Sequence, residues 1–289
     1  MKFGFIEAHR PLWRIQTMCR LLRVSKSGYF AWRDGHESPR TSKNRELIEK
    51  IAVIHATHRK IYGSPRTQRH LRRQGDLVSV NRVARLMRQA GIRVTPTRRF
   101  TVTTDSDHDH PIAPNILEQN FHATEPNTKW VTDITYIPTG EGWLYVAAII
   151  DLFSRRVVGW AMQATMDRSL VLNCLQMAIA NRKPGPNFIH HSDRGCQYTC
   201  AEYRQTLAQY QAIISMSRRG NCYDNAVIES FWHSLKVECV HRTTFATRAQ
   251  AKAAIFDYIE VFYNRVRLHS SIGYRSPMEF EAAHRTEAA

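Results

Sequence analysis

Residues 129–162 read KWVTDITYIPTGEGWLYVAAIIDLFSRRVVGWAM, and this stretch decides the fold. Polar and apolar residues alternate through KWVTDITYI, the apolar run WLYVAAII follows the turn TGEG, and VVGWAM follows the turn DLFSRR. Such β-branched and aromatic runs, bounded by glycine-containing or charged turns, are typical of strands. Because the connections are too short for a crossover, the stretch predicts three strands in an antiparallel meander.

The residues that follow extend this sheet with parallel strands. A helix is predicted over 168–182 and a strand over NFIHHS at 187–192, and the crossover between them makes that strand parallel to a neighbour. A further helix at 201–210, a fifth strand AIISMS at 212–217 and a long helix at 226–240 complete the pattern. The predicted fold class is α/β, with a mixed five-stranded sheet flanked by helices.

Nearly all of the net charge of +16 lies in the N-terminal third of the chain. Residues 1–110 hold 23 Lys and Arg against 9 Asp and Glu, whereas the other residues hold 18 against 16. An excess of this size in one segment indicates a polyanionic partner, with nucleic acid as the first candidate.

This basic segment predicts two pairs of helices. Residues 12–33 predict a short pair that breaks near Val24, with Ser25 or Ser27 as the cap of its second helix. Residues 64–92 predict a clearer pair, in which Ser64 and Ser79 cap the helices and Gly75 and Gly91 end them.

The last of these helices has an apolar stripe at helical spacing, formed by Val80, Val83, Ala84 and Met87. Its other faces carry Arg82, Arg85 and Arg88. A helix-turn-helix that contacts DNA through these arginines is the favoured interpretation. A helical hairpin with a solvated basic face is the alternative.

The chain has no sequence feature of a membrane or secreted protein. Its longest apolar run, at 143–150, has eight residues, and the first residues lack the apolar stretch of a signal peptide. We therefore expect a cytoplasmic, reducing setting in which the six cysteines are thiols. A zinc site is the alternative, but its spacing is loose; its ligands would be His190, His191, Cys196 and Cys200.

Three acids occupy positions where folding alone gives them no evident role. Asp133 lies inside the first strand, Asp193 ends the fourth, and Glu229 lies on the long helix beside its apolar stripe. Carboxylates that converge in a half-buried place repel one another unless a divalent cation neutralises them. Mg²⁺ takes a few oxygen ligands and leaves positions for water and phosphate, so three acids can hold two ions against a phosphodiester.

Each acid also has an ordinary alternative. Asp193 could simply start the DRG turn, and Glu229 could pair with Lys236 on the helix surface. Asp151 ends a strand and Asp224 precedes the long helix, where a cap is expected. The pattern alone does not choose Asp133 over Asp151.

The acids lie in segments that resemble the three acidic motifs of DDE transposases and retroviral integrases: WVTDITYI, HSDRGCQYT and RGNCYDNAVIESFWHSLKVE. Thirty-five residues separate Asp193 from Glu229, which is the interval characteristic of that superfamily, and Lys236 matches the basic residue seven positions after its glutamate. At position 232 this chain has Trp where another aromatic residue is common in the family.

Nearly the whole chain is similar to the second-reading-frame protein, OrfB, of bacterial insertion sequences, including CRLLRVSKSGYFAWR near the start and FYNRVRLHSSIGYRSPMEF near the end. The resemblance implies a basic helix-turn-helix region at 1–94, a linker at 95–122 and, at 123–289, a ribonuclease H-like DDE core with a C-terminal helical and basic extension.

The same resemblance implies a Mg²⁺-dependent transposase that cuts element ends and joins them to new DNA. Asp133, Asp193 and Glu229 are then the catalytic residues and the ligands of two Mg²⁺ ions, for which Mn²⁺ substitutes. A DNA-binding regulator with an inactive core and a structure-selective nuclease of the same fold are the alternatives.

The expected partner is double-stranded DNA, both the element ends and the target. Near the scissile phosphate, DNA contacts are expected from Lys236 and His233, and elsewhere on the core from Arg218, Arg219 and the segment RVRLH. Pairing two ends requires at least a dimer on DNA. An upstream-frame protein, or a fusion with it, is a further expected partner, and the expected setting is the nucleoid of a bacterial cytoplasm.

Overall fold

The computed structural model describes residues 1–35, 37–94, 112–218 and 222–287. The chain divides into two compact units, Met1–Thr95 and Pro96–Ala289. Among the described residues, no helix combines the length and the hydropathy needed to span a bilayer.

The first unit is helical and begins with a small three-helix core. Helices α1 (Lys2–His9), α2 (Ile15–Leu21) and α3 (Lys26–Arg33) pack around Ile6, Met18, Cys19 and Tyr29. The predicted pair corresponds to α2 and α3, and α1 lies outside that prediction. The Ser25 hydroxyl accepts a hydrogen bond from the Gly28 backbone N–H at 3.0 Å, so Ser25 is the cap of α3.

The second part of this unit contains α4 (Pro39–Thr57), α5 (Ser64–Arg73) and α6 (Val80–Gln89). The predicted pair is α5 and α6, and α4, which packs on both, was not predicted. Ser79 caps α6 as predicted, since its hydroxyl accepts from the Arg82 N–H at 3.2 Å. The predicted cap of α5 is wrong: Gly63 is the cap, and Ser64 is already helical.

The buried face of α6 differs slightly from the predicted stripe. Val83, Leu86 and Met87 are buried, whereas Val80 is 38% exposed. Spacing alone allows two overlapping stripes on this helix, and packing against α4 and α5 selects the one that contains Leu86.

The second unit is built on one mixed sheet. Its strands are β1 (Lys129–Thr139), β2 (Gly142–Asp151), β3 (Val157–Gln163), β4 (Ile189–Ser192) and β5 (Ile213–Met216). They lie in the order β3-β2-β1-β4-β5, with the first three antiparallel and β4 and β5 parallel to β1. The predicted five-stranded mixed sheet is confirmed.

Helices flank this sheet. They are α7 (Arg168–Arg182), α8 (Cys196–Thr199), α9 (Ala201–Gln209), α10 (Ala226–Glu238), α11 (Arg248–Phe256) and α12 (Pro277–Glu287). A π-helical turn, Asp257–Tyr263, continues α11. Helix α7 spans the residues predicted for it, and the Asp167 carboxylate caps it by accepting from the Ser169 N–H at 2.9 Å.

Helix α7 packs very closely on β3 at Gly159. A Cβ atom at this position would lie 2.8 Å from the backbone nitrogen of Ala178 and closer still to the carbonyl oxygen of Cys174. Both are backbone atoms that no rotamer change can move away. The missing side chain of Gly159 therefore sets the distance between the helix and the sheet.

A buried ion cluster joins β2, α7 and α12. The Arg182 guanidinium lies 3.1 Å from the Asp151 carboxylate and 2.8 Å from that of Glu281. Arg156 and the Ser154 hydroxyl also reach Glu281, at 2.8 and 2.7 Å. Burial raises the pKa of Glu281, but its hydrogen bonds and charge contact with Arg182 outweigh this, and its pKa is lowered.

We expect Gly159→Ala to destabilise the second unit by about 1–3 kcal/mol, because the helix must shift to admit the methyl group. Chemical unfolding of the full chain, followed by tryptophan fluorescence, measures this change. Gly185→Ala is the control, since nothing lies within 4 Å of its added Cβ. Equal stability of the two variants would contradict the close packing.

We expect Arg182→Ala to destabilise the same unit by about 3–5 kcal/mol, because the buried Asp151 carboxylate loses its guanidinium partner and Glu281 loses one partner while it keeps Arg156. Arg168→Ala, at the other end of α7, is the control. Arg168 is 66% exposed and pairs with Glu202 at 3.5 Å, so its loss should change the free energy of unfolding by less than about 0.5 kcal/mol. Similar unfolding midpoints would disprove a stabilising role for the cluster.

Candidate active site

Asp133 and Asp193 come level with each other on neighbouring strands. In the parallel pair of β1 and β4, Trp130 lies opposite His190 and Val131 lies opposite His191. Carried two residues further, this register brings Asp193, which directly follows β4, level with Asp133. Neighbouring strands are about 4.8 Å apart, so the two acids are adjacent.

The Asp133 carboxylate is held by two donors and repelled by two acids. Its Oδ2 accepts the indole N–H of Trp232 at 3.0 Å, and the backbone N–H of Ile134 also donates to it. Burial, followed by the charge of Asp193, raises the pKa of Asp133 well above its ordinary value. The charge of Glu229 adds to this rise, and the two hydrogen bonds oppose it.

Asp193 starts a tight turn and also faces the site. Its Oδ1 accepts the Gly195 backbone N–H at 2.9 Å, and a Cβ at Gly195 would lie 3.0 Å from that oxygen. Tyr198 is buried beside both acids: burial raises its pKa well above the ordinary value, and the charges of Asp133 and Asp193 raise it further. The turn predicted as the ordinary role of Asp193 is therefore present together with its electrostatic contact to Asp133.

Glu229 lies on the helix that faces these two acids. It occupies the first turn of α10, which packs on β1 through Ile228, Phe231, Trp232 and Leu235. Glu229 is an exposed residue. Neighbouring atoms nevertheless shield its carboxyl group partly from water, and this desolvation raises its pKa. Within the described ranges, no three carboxylate, imidazole or thiol groups are close enough to form a ready metal site. The structure thus brings Asp133 and Asp193 together and places Glu229 within electrostatic reach of Asp133.

Lys236 follows Glu229 by two turns on α10 and is only 8% exposed. Its ammonium lies 5.3 Å from the ring centre of Tyr136 on β1. Burial lowers the pKa of Lys236, and the charge of Asp133 opposes that change. Lys236 is therefore within electrostatic reach of Asp133. His233 is exposed on the same helix.

Arg218 forms a salt bridge with Asp224, the acid that the sequence predicted to cap the long helix. Both the backbone N–H and the guanidinium of Arg218 donate to the Asp224 carboxylate, at 2.9 to 3.1 Å. These hydrogen bonds lower the pKa of Asp224 despite its burial. The predicted capping role of Asp224 is wrong, because Asn225 precedes α10 and makes no side-chain cap. Arg219 lies outside the described residues.

Asp151 has a structural role, which separates it from Asp133. It lies opposite Trp130, three residues before Asp133 along β1, and its side chain is fully buried. Its carboxylate accepts the backbone N–H groups of Asn127 and Phe153, at 2.9 and 3.0 Å, in addition to Arg182. Burial raises the pKa of Asp151 to about 6. Its partners lie within the ion cluster, away from Asp193.

The histidines of the fourth strand are buried and hydrogen bonded. His190 contacts the Tyr203 hydroxyl at 2.7 Å, and His191 contacts the Ser215 and Ser217 hydroxyls at 2.8 and 3.0 Å. Burial lowers the pKa of His190 to about 3 and that of His191 to about 4, so both rings are neutral at pH 7. Both ring nitrogens of His191 have partners, whereas the buried Nδ1 of His190 has none among the described residues. The zinc ligand set considered from the sequence is not assembled within the described part of the chain.

The arginines of α6 divide into two kinds. Arg82 is half-buried and donates through Nε and Nη2 to the Asn44 side-chain oxygen on α4, at 3.2 and 2.9 Å. Arg85 and Arg88 are exposed. Arg82 therefore helps to hold α6 on α4, a contact that the helical spacing did not indicate.

Trp232 and Arg267 are two residues that the sequence analysis did not place at the site. The Arg267 guanidinium is buried and makes two hydrogen bonds of 2.7 Å to the Glu238 carboxylate at the end of α10, and a third of 3.1 Å to Ser234. The segment RVRLH therefore contributes a buried anchor for α10. The signal for Trp232 was its spacing of three residues from Glu229 on one helix.

Family comparisons cover most of the chain. A family model described as an integrase core domain matches residues 123–222, and a second integrase core domain model matches residues 229–284. A model described as an HTH-like domain matches residues 42–100. With the observed sheet order, the first of these matches supports a ribonuclease H-like integrase core.

Curated relatives match over almost their full length. The transposase InsF of insertion sequence IS3A from Escherichia coli K12 is 44% identical over 283 residues, which cover 97% of this chain and 98% of that protein. An uncharacterized 31 kDa protein of insertion element IS600 from Shigella sonnei is 43% identical, over 94% of this chain and all of that protein. These matches do not favour the regulator or nuclease alternatives.

Solved structures of viral integrases are also similar. A simian T-cell lymphotropic virus intasome chain aligns with a TM-score of 0.47 and 15% identity, over 80% of this chain and 73% of its own. The catalytic core of HTLV-2 integrase, solved with magnesium, aligns with a TM-score of 0.40 and 14% identity, over 55% of this chain and 99% of its own.

The full-length relationship and the integrase core lead to one assignment. A transposase with such a core is a polynucleotidyl transferase, and its partner is DNA. The chain belongs to the IS3-type insertion-sequence transposases, which carry out DNA transposition.

Proposed function

We propose that this transposase cuts at the ends of its element and joins the freed 3′-hydroxyl to a target phosphodiester, with Asp133, Asp193 and Glu229 as the ligands of two Mg²⁺ ions. The donors fit this role in kind, because Mg²⁺ prefers carboxylate oxygens and leaves positions for water and phosphate. When bound, the ions would supply an activated water or 3′-hydroxyl and stabilise the leaving oxygen. Mn²⁺ is expected to replace Mg²⁺.

The observation that supports this proposal is the convergence of charge on Asp133. The charges of Asp193 and Glu229 both raise its pKa, although each residue comes from a different element. An arrangement that concentrates negative charge without a compensating cation is unfavourable for folding. A divalent cation would offset that repulsion, and the exposed side chain of Glu229 would move toward it to complete the ligand set.

Other residues would contact the DNA. Lys236, beside Asp133, would contribute a positive charge near the scissile phosphate, and His233 would contact DNA from the same helix. Arg218 and Arg219 are proposed contacts to the DNA backbone. In the HTH-like region, Arg82, Arg85 and Arg88 are the proposed contacts; Arg85 and Arg88 are the stronger candidates because Arg82 already bonds to Asn44.

The working assembly would contain more than one copy of the chain. Two element ends must be held together for transposition, so we propose at least a dimer on DNA. The domain limits 1–94, 95–122 and 123–289 remain our proposed division of labour between DNA recognition, linker and chemistry. Frameshift fusion to an upstream-frame protein and association with the nucleoid in the bacterial cytoplasm also remain predictions.

We expect Asp133→Asn, Asp193→Asn and Glu229→Gln each to lower strand joining by about 100-fold or more in Mg²⁺, because each removes a carboxylate that would hold the cations that stabilise the reacting phosphate. Labelled element ends report cleavage and joining separately, and a filter or gel assay reports DNA binding, which should persist. Glu202→Gln is the control, since this acid is exposed on α9. Full joining by any one of the three variants would remove that residue from the site.

We expect Lys236→Gln to weaken DNA binding and joining, because a phosphate contact is lost. The slope of log affinity against log salt concentration should fall by about 1, the amount expected for a single phosphate contact. Lys236→Arg is the matched variant, since it keeps the positive charge and should keep the slope. If the glutamine variant keeps the wild-type slope, the role of Lys236 is confined to packing against Tyr136.

A further inference from the structure

Trp232 lies between the two proposed functional residues of α10. It follows Glu229 by three residues and precedes Lys236 by four, so the three share one side of the helix. Its indole is 4% exposed, and its N–H donates to Oδ2 of Asp133 at 3.0 Å. One side of α10 thus carries an acid, a neutral hydrogen-bond donor and a lysine beside β1.

We propose that Trp232 is a positioning residue for Asp133, which fixes the orientation of the carboxylate so that its remaining lone pairs are presented to a divalent cation. This inference rests on the proposed function, in which Asp133 is a metal ligand. A hydrogen bond that orients a ligating carboxylate commonly contributes about 10- to 100-fold in metal affinity or activity.

The indole is chemically suited to this task. Its N–H only donates, so it cannot compete with Asp133 for a cation, and it carries no charge that would neutralise the carboxylate. A lysine or arginine in the same place would orient the oxygen but would also replace the cation electrostatically. Trp232 therefore orients Asp133 and leaves its negative charge available.

The same hydrogen bond limits the separation of the helix and the strand. Helix α10 is anchored at its far end by Arg267, which binds Glu238. At its middle, the Trp232 contact ties the helix to β1 within one turn of Glu229. The bond thus also restricts the distance over which Glu229 must reach to meet a cation held by Asp133.

Burial of a tryptophan does not by itself require such a partner. Trp130, at the start of the same strand β1, is fully buried, and its indole nitrogen has no hydrogen-bond partner among the described residues. The two tryptophans therefore form a matched pair, in which both fill the core but only Trp232 donates to an acid. They allow the donor to be tested separately from the packing.

The test uses the full chain and three variants. Trp232→Phe removes the donor and keeps an aromatic ring. Trp232→His removes the six-membered part of the ring system but keeps an N–H donor. Nε2 of histidine occupies the same position in the five-membered ring as the indole nitrogen of tryptophan. Trp130→Phe is the packing control. Calorimetric titration with Mg²⁺ at pH 8, where imidazole is neutral, measures Kd, and thermal unfolding measures Tm.

We expect Trp232→Phe to raise the Kd for Mg²⁺ by about 10- to 100-fold and to shift the Mg²⁺ concentration needed for half-maximal joining upward, with much of the rate restored at high Mg²⁺. Trp232→His should bind Mg²⁺ more tightly than Trp232→Phe despite a lower Tm. Trp130→Phe should lower Tm with an unchanged Kd.

An unchanged Kd in Trp232→Phe, or Kd values that simply follow Tm across the variants, would overturn the positioning role. Asp133→Asn separates this failure from failure of the proposed function. If Asp133→Asn binds Mg²⁺ as the wild type does, Asp133 is not a ligand and both proposals fail. If it loses Mg²⁺ while Trp232→Phe keeps it, only the role of Trp232 is lost.

Discussion

The parallel pairing of β4 with β1 is the constraint on which the catalytic unit depends. The register that places His191 opposite Val131 also brings Asp193 level with Asp133, although sixty positions separate them in the chain. This pairing requires a crossover, which α7 supplies, and α7 can lie close to the sheet only because Gly159 has no side chain. The crossover helix that allows the two acids to meet therefore packs closely on the sheet because β3 has a glycine at this position.

The convergence of acids on Asp133 is electrostatically unfavourable, and contacts with the surrounding structure offset part of the repulsion. Asp133 is half-buried beside a second acid, and desolvation and the charge of that acid raise its pKa. Hydrogen bonds from Trp232 and Ile134 partly offset this rise. In the proposed function the same repulsion favours cation binding, because carboxylates that repel one another in the protein are suitable ligands for a divalent cation.

Two buried ionic contacts secure the elements around the site. Arg182 joins Asp151 and Glu281, which ties α7 and the last helix to the end of β2. Arg267 joins Glu238 and so fixes the end of α10. Glu281 and Arg267 both belong to the C-terminal extension, which therefore supports α7, α10 and the end of β2. Buried pairs of this kind are sensitive to loss of one partner, which makes the extension part of the folded core.

Much of this architecture can be read from the sequence, because strand alternation, short turns and the length of α7 depend on neighbouring residues. The five strands, their mixed directions and the extent of α7 were predicted correctly, and so was the cap Ser79. Local pattern could not separate Asp133 from Asp151, since both are acids on strands, and it assigned Asp224 to a cap. Asp151 and Asp133 are distinguished by Arg182 and Trp232, partners distant in sequence that only folding brings to them. Asp224 binds Arg218, six residues earlier in the chain, through a loop conformation that the local pattern does not specify.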